Sequence, residues 1–549
     1  MQRKIFRFSG CLALCIAAAG LAAGQSTAAP DDSHHHALTE KEVGSVHFST
    51  SCSKSVQTDF QRAVALLHSF QYEQARAAFT DISKQDPQCA MAQWGVAMSH
   101  YHGLWHNGDT NAGREALHKA EEIATHNPST SARERAYIDA LSEIYKEDGK
   151  DEYAHAQAYE QRMGALQAAY PDDTEAAIFH ALALAVTAPK TDKTFSNQRK
   201  CGEILEPIFV QQPNHPGVAH YIIHCYDNPV LAEKGLGAAR KYATIAPASA
   251  HANHMPSHLF TRVGSWEESI QSNLRSAELA KEAEATSQNG EAREQRLHAM
   301  DYLEYAYLQR GRVSDARSVL DEMNSLPPLR GPNPALAGDY ALAAIPARYT
   351  LELGKWDDAA RLQPVAGSVP WAQSITWMAV GLGAARSHDL ARAQEAERSL
   401  AALRDAAQPK SAYWSNQIEV QRREVAAWIA QAAGKPEDAV AGMRSATELE
   451  ESMDKDAVTP GAVVPARELL AQMLQIQNRP HDSLREYEAV LKTAPNRFNA
   501  LWGAASTAES AGDTSTASTY YRKLVEVGVG KERPELQAAR KKMSVMARN

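Results

Sequence analysis

The chain has 549 residues, of which 44% are hydrophobic and 22% charged, and its formal net charge at pH 7 is −9. This composition provides a sizeable apolar core and excludes a disordered, collagen-like or low-complexity chain. A net negative charge without a local cluster of Lys and Arg excludes the positive field that nucleic-acid binding needs, so we expect no nucleic-acid partner. The unusual count is histidine, with 21 residues.

Residues 1–28 are predicted to be a secretory signal peptide. They contain a basic start, an apolar run over residues 10–23 and then small residues that suit a signal peptidase. The apolar run is too short to span a bilayer and no later segment is long and apolar enough, so we expect no membrane span in the mature chain. We expect an exported protein, periplasmic or secreted, whose mature chain begins with a polar segment over residues 29–58.

Four cysteines follow the signal peptide: Cys52, Cys89, Cys201 and Cys225. An oxidising compartment favours disulfides, and four cysteines allow three pairings. The short-range pairing joins Cys52 to Cys89 and Cys201 to Cys225. No CxxC pair occurs, so neither a thioredoxin-like redox site nor a cysteine-based zinc site is expected.

Beyond residue 59 the sequence predicts a series of alanine-rich amphipathic helices with almost no strand signal. A period of 34 residues is clearest near the C-terminus, where Ala471 and Tyr487 recur as Ala505 and Tyr521. This period, with small and bulky residues at fixed positions, resembles the tetratricopeptide repeat (TPR). In such a repeat, no single unit buries its apolar face without its neighbours.

The resemblance covers most of residues 60–530. It implies an all-α fold, a right-handed helical solenoid whose concave groove binds a protein or peptide, and it implies no activity. We expect a divergent, histidine-rich TPR-like region over residues 59–330 and a regular TPR solenoid over residues 331–530. Residues 531–549 are expected to form either a tail or a capping helix.

Two sequence blocks depart from the repeat pattern and hold six histidines within 44 residues. His220 and His224 lie one helical turn apart, as do His254 and His258, so each pair lies on one helix face. Consecutive helices of a solenoid pack side by side, which makes these four imidazoles a candidate site for one transition-metal ion. Neutral imidazole suits zinc, copper, nickel or iron and does not choose among them; zinc or copper is the expected ion.

Asn214 and Asn253 are the expected N-caps of the two helices, each followed by a proline in the first turn. This leaves His215 and His251 at or before the helix starts, as additional ligand candidates. Further residues expected near the metal or its ligands are Tyr221, Asp227, His298 and Asp301. Asp301 is expected to orient a ligand histidine through its other ring nitrogen.

The exported start, residues 46–52, residues 89–98 and the HPG and HMPSH blocks also resemble a group of large exported bacterial TPR proteins with no assigned activity. No catalytic residue emerges from the motifs, because Tyr221 and Met255 stand where HExxH zinc proteases place their glutamate. A nucleophile elbow, a phosphate-binding loop and a Rossmann fingerprint are also missing from the sequence.

Three functions remain open at this point. The first is an exported TPR scaffold that binds a protein or peptide in its groove, with the histidines lining that groove. The second is a metal-dependent enzyme of the metallohydrolase type, or a metal-handling protein, that uses the paired HxxxH helices. The third is a groove that binds a small polar ligand, such as a carbohydrate, through Trp94, Trp105 and Trp266, although core packing is the expected role of most of these aromatics.

Overall fold

The computed structural model describes residues 38–105, 108–285, 290–327 and 336–546, and within these ranges the chain contains helices and no strand. The all-α prediction is therefore confirmed. The predicted signal peptide and the first part of the expected polar segment lie outside the described residues. None of the described helices combines the length and apolar character that a bilayer span requires.

The first thirteen α-helices precede residue 263. They are α1 Glu40–Val43, α2 Gln57–His68, α3 Tyr72–Gln85, α4 Ala90–Met98, α5 Thr110–His126, α6 Ala132–Ser142, α7 Glu152–Ala169, α8 Thr174–Val186, α9 Ser196–Gln211, α10 Pro216–Tyr226, α11 Leu236–Ile245, α12 Ala250–His254 and α13 Pro256–Arg262. Short 3-10 turns at Lys54–Val56 and Ala232–Gly235 precede α2 and α11.

The remaining helices run to the end of the described chain. They are α14 Trp266–Ala283, α15 Glu291–Gln309, α16 Val313–Ser325, α17 Leu336–Glu352, α18 Trp356–Ala359, α19 Pro370–Arg386, α20 Leu390–Ala407, α21 Ala412–Ala432, α22 Pro436–Glu451, α23 Ala466–Ile476, α24 Pro480–Thr493, α25 Phe498–Ser510, α26 Thr514–Val527 and α27 Pro534–Met546.

Consecutive helices pack as hairpins, and the turn inside several hairpins contains a residue with positive φ. Gly354 and His388, which are 34 residues apart, have φ angles of 64° and 63°, and Asn478 and Gly512, also 34 apart, have angles of 57° and 81°. Glycine and asparagine adopt this left-handed conformation at low cost. The 34-residue sequence period therefore corresponds to the period of the hairpins.

Small residues let neighbouring helices of successive hairpins approach closely. A Cβ atom added to Gly503 of α25 would lie 2.1 Å from the Tyr487 ring of α24, and one added to Gly95 of α4 would lie 2.3 Å from the Phe79 ring of α3. The same contact thus occurs near both ends of the solenoid. It is the close approach of small and bulky residues that the repeat pattern predicts.

The described part of the expected polar N-terminal segment contributes to the core, because Val43, Val46 and Phe48 are buried. The structure contains the two short-range disulfides, one between Cys52 and Cys89 and one between Cys201 and Cys225. At the other end of the chain, α27 packs on α26 and buries Leu536 and Ala539. Within the described residues, Pro534–Met546 therefore forms a packed helix.

The solenoid closes on itself through contacts between its middle and its C-terminal helices. The Trp266 indole N–H donates a hydrogen bond to the Asn496 carbonyl at 2.8 Å. The fully buried Arg497 binds the carboxylates of Glu352 and Glu468. Its guanidinium also donates to the Tyr305 hydroxyl at 3.0 Å.

The segment between α22 and α23, residues 452–465, enters the interior of this closed solenoid. Lys455 donates to the Asp227 carboxylate at 2.6 Å, and the Tyr302 hydroxyl donates to the Thr459 carbonyl at 3.0 Å. The Tyr340 hydroxyl also donates to the Thr459 side chain, at 3.0 Å. The chain's own segment therefore occupies part of the groove that the repeat resemblance assigns to a partner.

We predict that Gly503→Ala lowers the free energy of unfolding by about 1–3 kcal/mol, because the new methyl group must displace the buried Tyr487 ring. Gly237→Ala is the matched control, since a Cβ at this exposed helical position meets nothing within 4 Å. The control is expected to be neutral or to stabilise by up to about 1 kcal/mol. Urea unfolding curves compare the three proteins, and equal stability of the two variants would contradict the packing described here.

Candidate metal centre

The two histidine blocks fold into α10 and into the α12–α13 pair, but with different caps from those expected. His215 caps α10, because its side chain accepts a hydrogen bond from the Val218 N–H at 3.3 Å. Ser249 caps α12. Asn253 lies inside α12, where its amide donates to the Ser249 carbonyl at 2.8 Å. The expected capping roles of Asn214 and Asn253 are therefore wrong.

Six histidines meet in the interior as two groups of three. The first triad is His220, His224 and His251, and the second triad is His254, His258 and His298. Within each triad, one ring nitrogen of every histidine lies within 4.8 Å of the other two. The four imidazoles of the two HxxxH pairs, expected to bind a single ion, are thus divided between two neighbouring groups.

The short helix α12 explains this division. His251 lies one turn before His254, and its Nε2 is 3.0 Å from the His220 Nε2 on α10. His254 instead faces α15, where the centre of its ring is 4.3 Å from that of His298. His251 and His298, expected only as additional or neighbouring residues, thus complete the two sites.

In the first triad, a carbonyl group fixes the tautomer of the central histidine. The His220 Nδ1–H donates to the His68 carbonyl at 2.6 Å, so the His220 Nε2 carries a lone pair. This lone pair points towards the Nε2 atoms of His224 and His251, both at 3.0 Å. Histidines that bind metals in proteins have the same pattern, with one ring nitrogen held by an acceptor and the other free.

In the second triad, two nitrogen lone pairs face each other. The His254 Nδ1–H donates to the Asn273 side-chain oxygen at 2.7 Å, and the His258 Nδ1–H donates to the Asp227 carboxylate at 2.8 Å. The Asn273 amide nitrogen donates to the Ser269 carbonyl, which fixes the amide orientation. Neither Nε2 atom therefore carries a hydrogen. These two atoms lie 3.0 Å apart.

His298 completes this triad, and neither of its buried ring nitrogens has a hydrogen-bond partner within the described part of the chain. Its side chain lies against His254, His258 and Trp105. A buried imidazole without partners is costly, because both nitrogens have lost their bonds to water. A metal ion bound to one nitrogen would remove much of that cost.

Burial lowers the pKa of all six triad histidines below the ordinary value of 6.5, and repulsion from neighbouring histidines adds to this effect in both triads. Near neutral pH these side chains are therefore uncharged. Neutral imidazole is the form that binds metals. Because burial disfavours the charged imidazole, a proton shared between the two Nε2 atoms is an unfavourable way to relieve the repulsion of their lone pairs.

Other expected residues have different positions. Asp227 lies behind the second triad, where it binds His258, Arg262 and Lys455 at 2.6–2.8 Å. Asp301 binds Arg348 and does not orient a histidine, since the helix directs its carboxylate to α17. That expectation is wrong.

His215 and Tyr221 belong to a separate buried cluster. Glu175 bridges the Nε2 atoms of His68 and His215 at 2.9 Å and 2.8 Å, and the Tyr221 hydroxyl lies 2.9 Å from the His68 Nδ1. The remaining ring nitrogen of His215 caps α10. Each histidine nitrogen of this cluster therefore has a partner within the protein, and the cluster supports α10 from behind.

Three residues that orient the second triad, directly or through Asp227, were not predicted from the sequence. Asn273 belongs to α14, which carries no unusual motif, and Arg262 and Lys455 reach Asp227 from α13 and from the segment 452–465. Trp105 packs against both triads, with ring distances of 6.1 Å to His251 and 6.0 Å to His298. None of these contacts has a local sequence signal.

No protein-family model matches the sequence, and no curated protein matches it. Among solved structures, the chain is similar to human IFIT1 with m7Gppp-AAAA, at a TM-score of 0.35 and 12% identity over 80% of this chain and 90% of that chain. It is also similar to yeast Tom70, at a TM-score of 0.29 and 13% identity over 75% of this chain and 96% of that chain. Scores and identities this low carry no argument about function or partners.

We predict that Asp227→Asn lowers the free energy of unfolding of the metal-free protein by about 3–5 kcal/mol, because it leaves the buried Lys455 and Arg262 without their shared counter-ion. Asp315→Asn is the matched control. Its carboxylate pairs with Arg312 at the surface and is expected to contribute less than about 1 kcal/mol. Chemical denaturation gives both values, and a small effect of Asp227→Asn would show that this network does not support the second triad.

Proposed function

We propose that the protein is a metal-binding helical-repeat protein that holds two divalent transition-metal ions, zinc or copper, one in each triad. The observation that carries the proposal is the 3.0 Å separation of the His254 and His258 Nε2 atoms, neither of which has a hydrogen to share. A cation between them turns a repulsive contact into two coordinate bonds. Imidazole-only sites suit zinc and copper.

The number of ligands favours a catalytic or exchangeable metal site over a structural metal site. Structural zinc sites in proteins usually have four protein ligands, whereas catalytic sites have three and keep one position for water or substrate. Each triad supplies three imidazoles, which supports a metal-dependent enzyme or a metal-handling protein. No residue is assigned a catalytic role, because the carboxylate that binds a triad histidine in the described part of the chain, that of Asp227, is already held by Arg262 and Lys455.

The alternative of a scaffold that binds a protein or peptide in the groove has less support. Residues 452–465 lie in the solenoid interior and bind Asp227, Tyr302 and Tyr340 from there. The carbohydrate hypothesis also loses its basis, because Trp94 is buried among core aromatics and Trp266 bonds to the Asn496 carbonyl. Trp105 covers the triads.

We predict about two zinc or copper ions per chain in untagged protein purified without chelators, measured by inductively coupled plasma mass spectrometry. His298→Gln is expected to remove the ion of the second triad, and His251→Gln the ion of the first. His298 has no hydrogen bond to lose, so its replacement tests metal binding with little effect on folding.

His180→Gln is the matched control for these variants, since His180 is also buried but bonds to Gln167 and Glu160. It is expected to keep both ions. Metal-free wild-type protein that takes up neither zinc nor copper would contradict the proposal, as would equal metal content in all three variants.

We also propose that the protein is exported to the periplasm or secreted, supported by its two disulfides. We predict that chains unfolded without reductant, after isolation from the periplasm or medium, have no thiol that reacts with Ellman's reagent at Cys52, Cys89, Cys201 or Cys225. The reduced chain serves as the control, with all four thiols reactive. Reactive thiols at these positions before reduction would contradict an oxidising compartment.

A further inference from the structure

A separate pocket lies in the solenoid interior, beyond Asp227, and has a volume of about 210 Å³. Its walls come mainly from α19, α21 and the segment 452–465, with Tyr340 of α17 beside them, and none of the six triad histidines lines it. We call it the interior pocket. A cavity of this size suits a small molecule.

Aromatic side chains form one side of the interior pocket. The rings of Trp371 and Trp414 stack with their centres 5.6 Å apart and an angle of 12° between their planes. The Tyr413 ring meets Trp414 edge-on at 5.0 Å, and Tyr340 lies 6.3 Å from Trp414. Electron-rich rings of this kind attract organic cations.

Three residues that line the pocket each have a buried polar atom without a hydrogen-bond partner in the described structure. These atoms are the Trp371 Nε1, the Gln421 Oε1 and the Glu424 Oε2. The Glu424 side chain is the most buried of the three residues, with 1% of its surface exposed. Buried polar groups in folded proteins nearly always have partners, so one donor and two acceptors around a single cavity indicate a ligand that supplies them.

The charges around the interior pocket leave its carboxylates without a counter-ion. Neither Glu424 nor Glu450 forms an ion pair within the described residues, and the Glu450 carboxylate accepts a hydrogen bond from the Ala466 N–H at 2.9 Å. Burial raises the pKa of Glu424 well above its ordinary value and that of Glu450 to about 7, and the two carboxyl groups repel each other. The charged forms therefore need a positive partner.

The basic residues of the pocket do not supply that partner. Lys455 is bound to Asp227, and Arg262 is bound to both Asp227 and Asp454. These charges are balanced at the end of the pocket nearest the second triad. Within the described residues, Glu424 and Glu450 therefore have no ion-pair partner among the basic residues of the pocket.

We propose that the interior pocket binds a small organic cation through an ammonium group. The ammonium donates to the Glu424 carboxylate and the Gln421 amide oxygen and lies beside the rings of Trp371 and Trp414. The Trp371 indole N–H donates to an acceptor on the same ligand. An ammonium group stabilises the charged form of Glu424 that burial disfavours. A neutral ligand gives no such stabilisation and an anion opposes it, so both bind less well.

Three probes of matched size test this on the metal-loaded wild-type protein by isothermal titration calorimetry: pentylammonium, 1-pentanol and pentanoate. Pentylammonium is expected to bind at least about tenfold more tightly than 1-pentanol, which is the usual gain from a charge-assisted hydrogen bond, and pentanoate is expected to be weakest. Equal affinity for pentylammonium and 1-pentanol, or no binding of pentylammonium, would overturn the proposal. The comparison needs no variant.

Glu424→Gln supplies a second test, because it removes the charge and keeps the shape of the side chain. It is expected to weaken pentylammonium binding about tenfold. Glu437→Gln changes the net charge equally at an exposed position of α22 and is expected to leave binding unchanged. Unchanged affinity in Glu424→Gln would overturn the assignment. Its metal content is expected to equal that of wild type, so this result is independent of the triads.

Discussion

Two imidazole nitrogens that both carry lone pairs repel each other at 3.0 Å in a dry interior unless a positive charge lies between them. The surroundings of His254 and His258 create this situation, because Asn273 and Asp227 each take the Nδ1 hydrogen. Burial disfavours a proton as the missing charge. The tautomers, the unpartnered His298 and the buried Asp227 network all become consistent once a metal ion occupies the triad.

The solenoid supplies the rigidity that such a site requires. The six triad histidines come from α10, α12, α13 and α15, and the residues that orient them come from α2, α14 and the turn after α10. Closure through Trp266 and Arg497 joins the middle helices to the C-terminal repeats, so the segment 452–465 can bring Lys455 to Asp227. The C-terminal repeats therefore help to stabilise two triads whose histidines all lie before residue 300.

Periodicity in the sequence predicted the helical hairpins well, because small residues and left-handed turns recur at fixed spacing and act locally. The excess of histidine pointed to the two blocks whose side chains meet in the interior, and the HxxxH spacing predicted which of them share a helix face. The division into two triads was not predictable, because it depends on how the short helix α12 directs His251 towards α10 and His254 towards α15. The predicted role of Asp301 was wrong for a similar reason, because its ion-pair partner Arg348 lies more than 40 residues away in sequence.

Anomalous X-ray diffraction from crystals of the protein purified without chelators, recorded at the zinc and copper absorption edges, tests the central claim most directly. The account predicts two anomalous peaks, one in each triad, with metal–nitrogen distances of about 2.0–2.1 Å. A single peak shared by the two HxxxH pairs would contradict the division into two sites. Imidazoles joined by ordered water, with no anomalous signal after soaking in zinc or copper, would contradict metal binding itself.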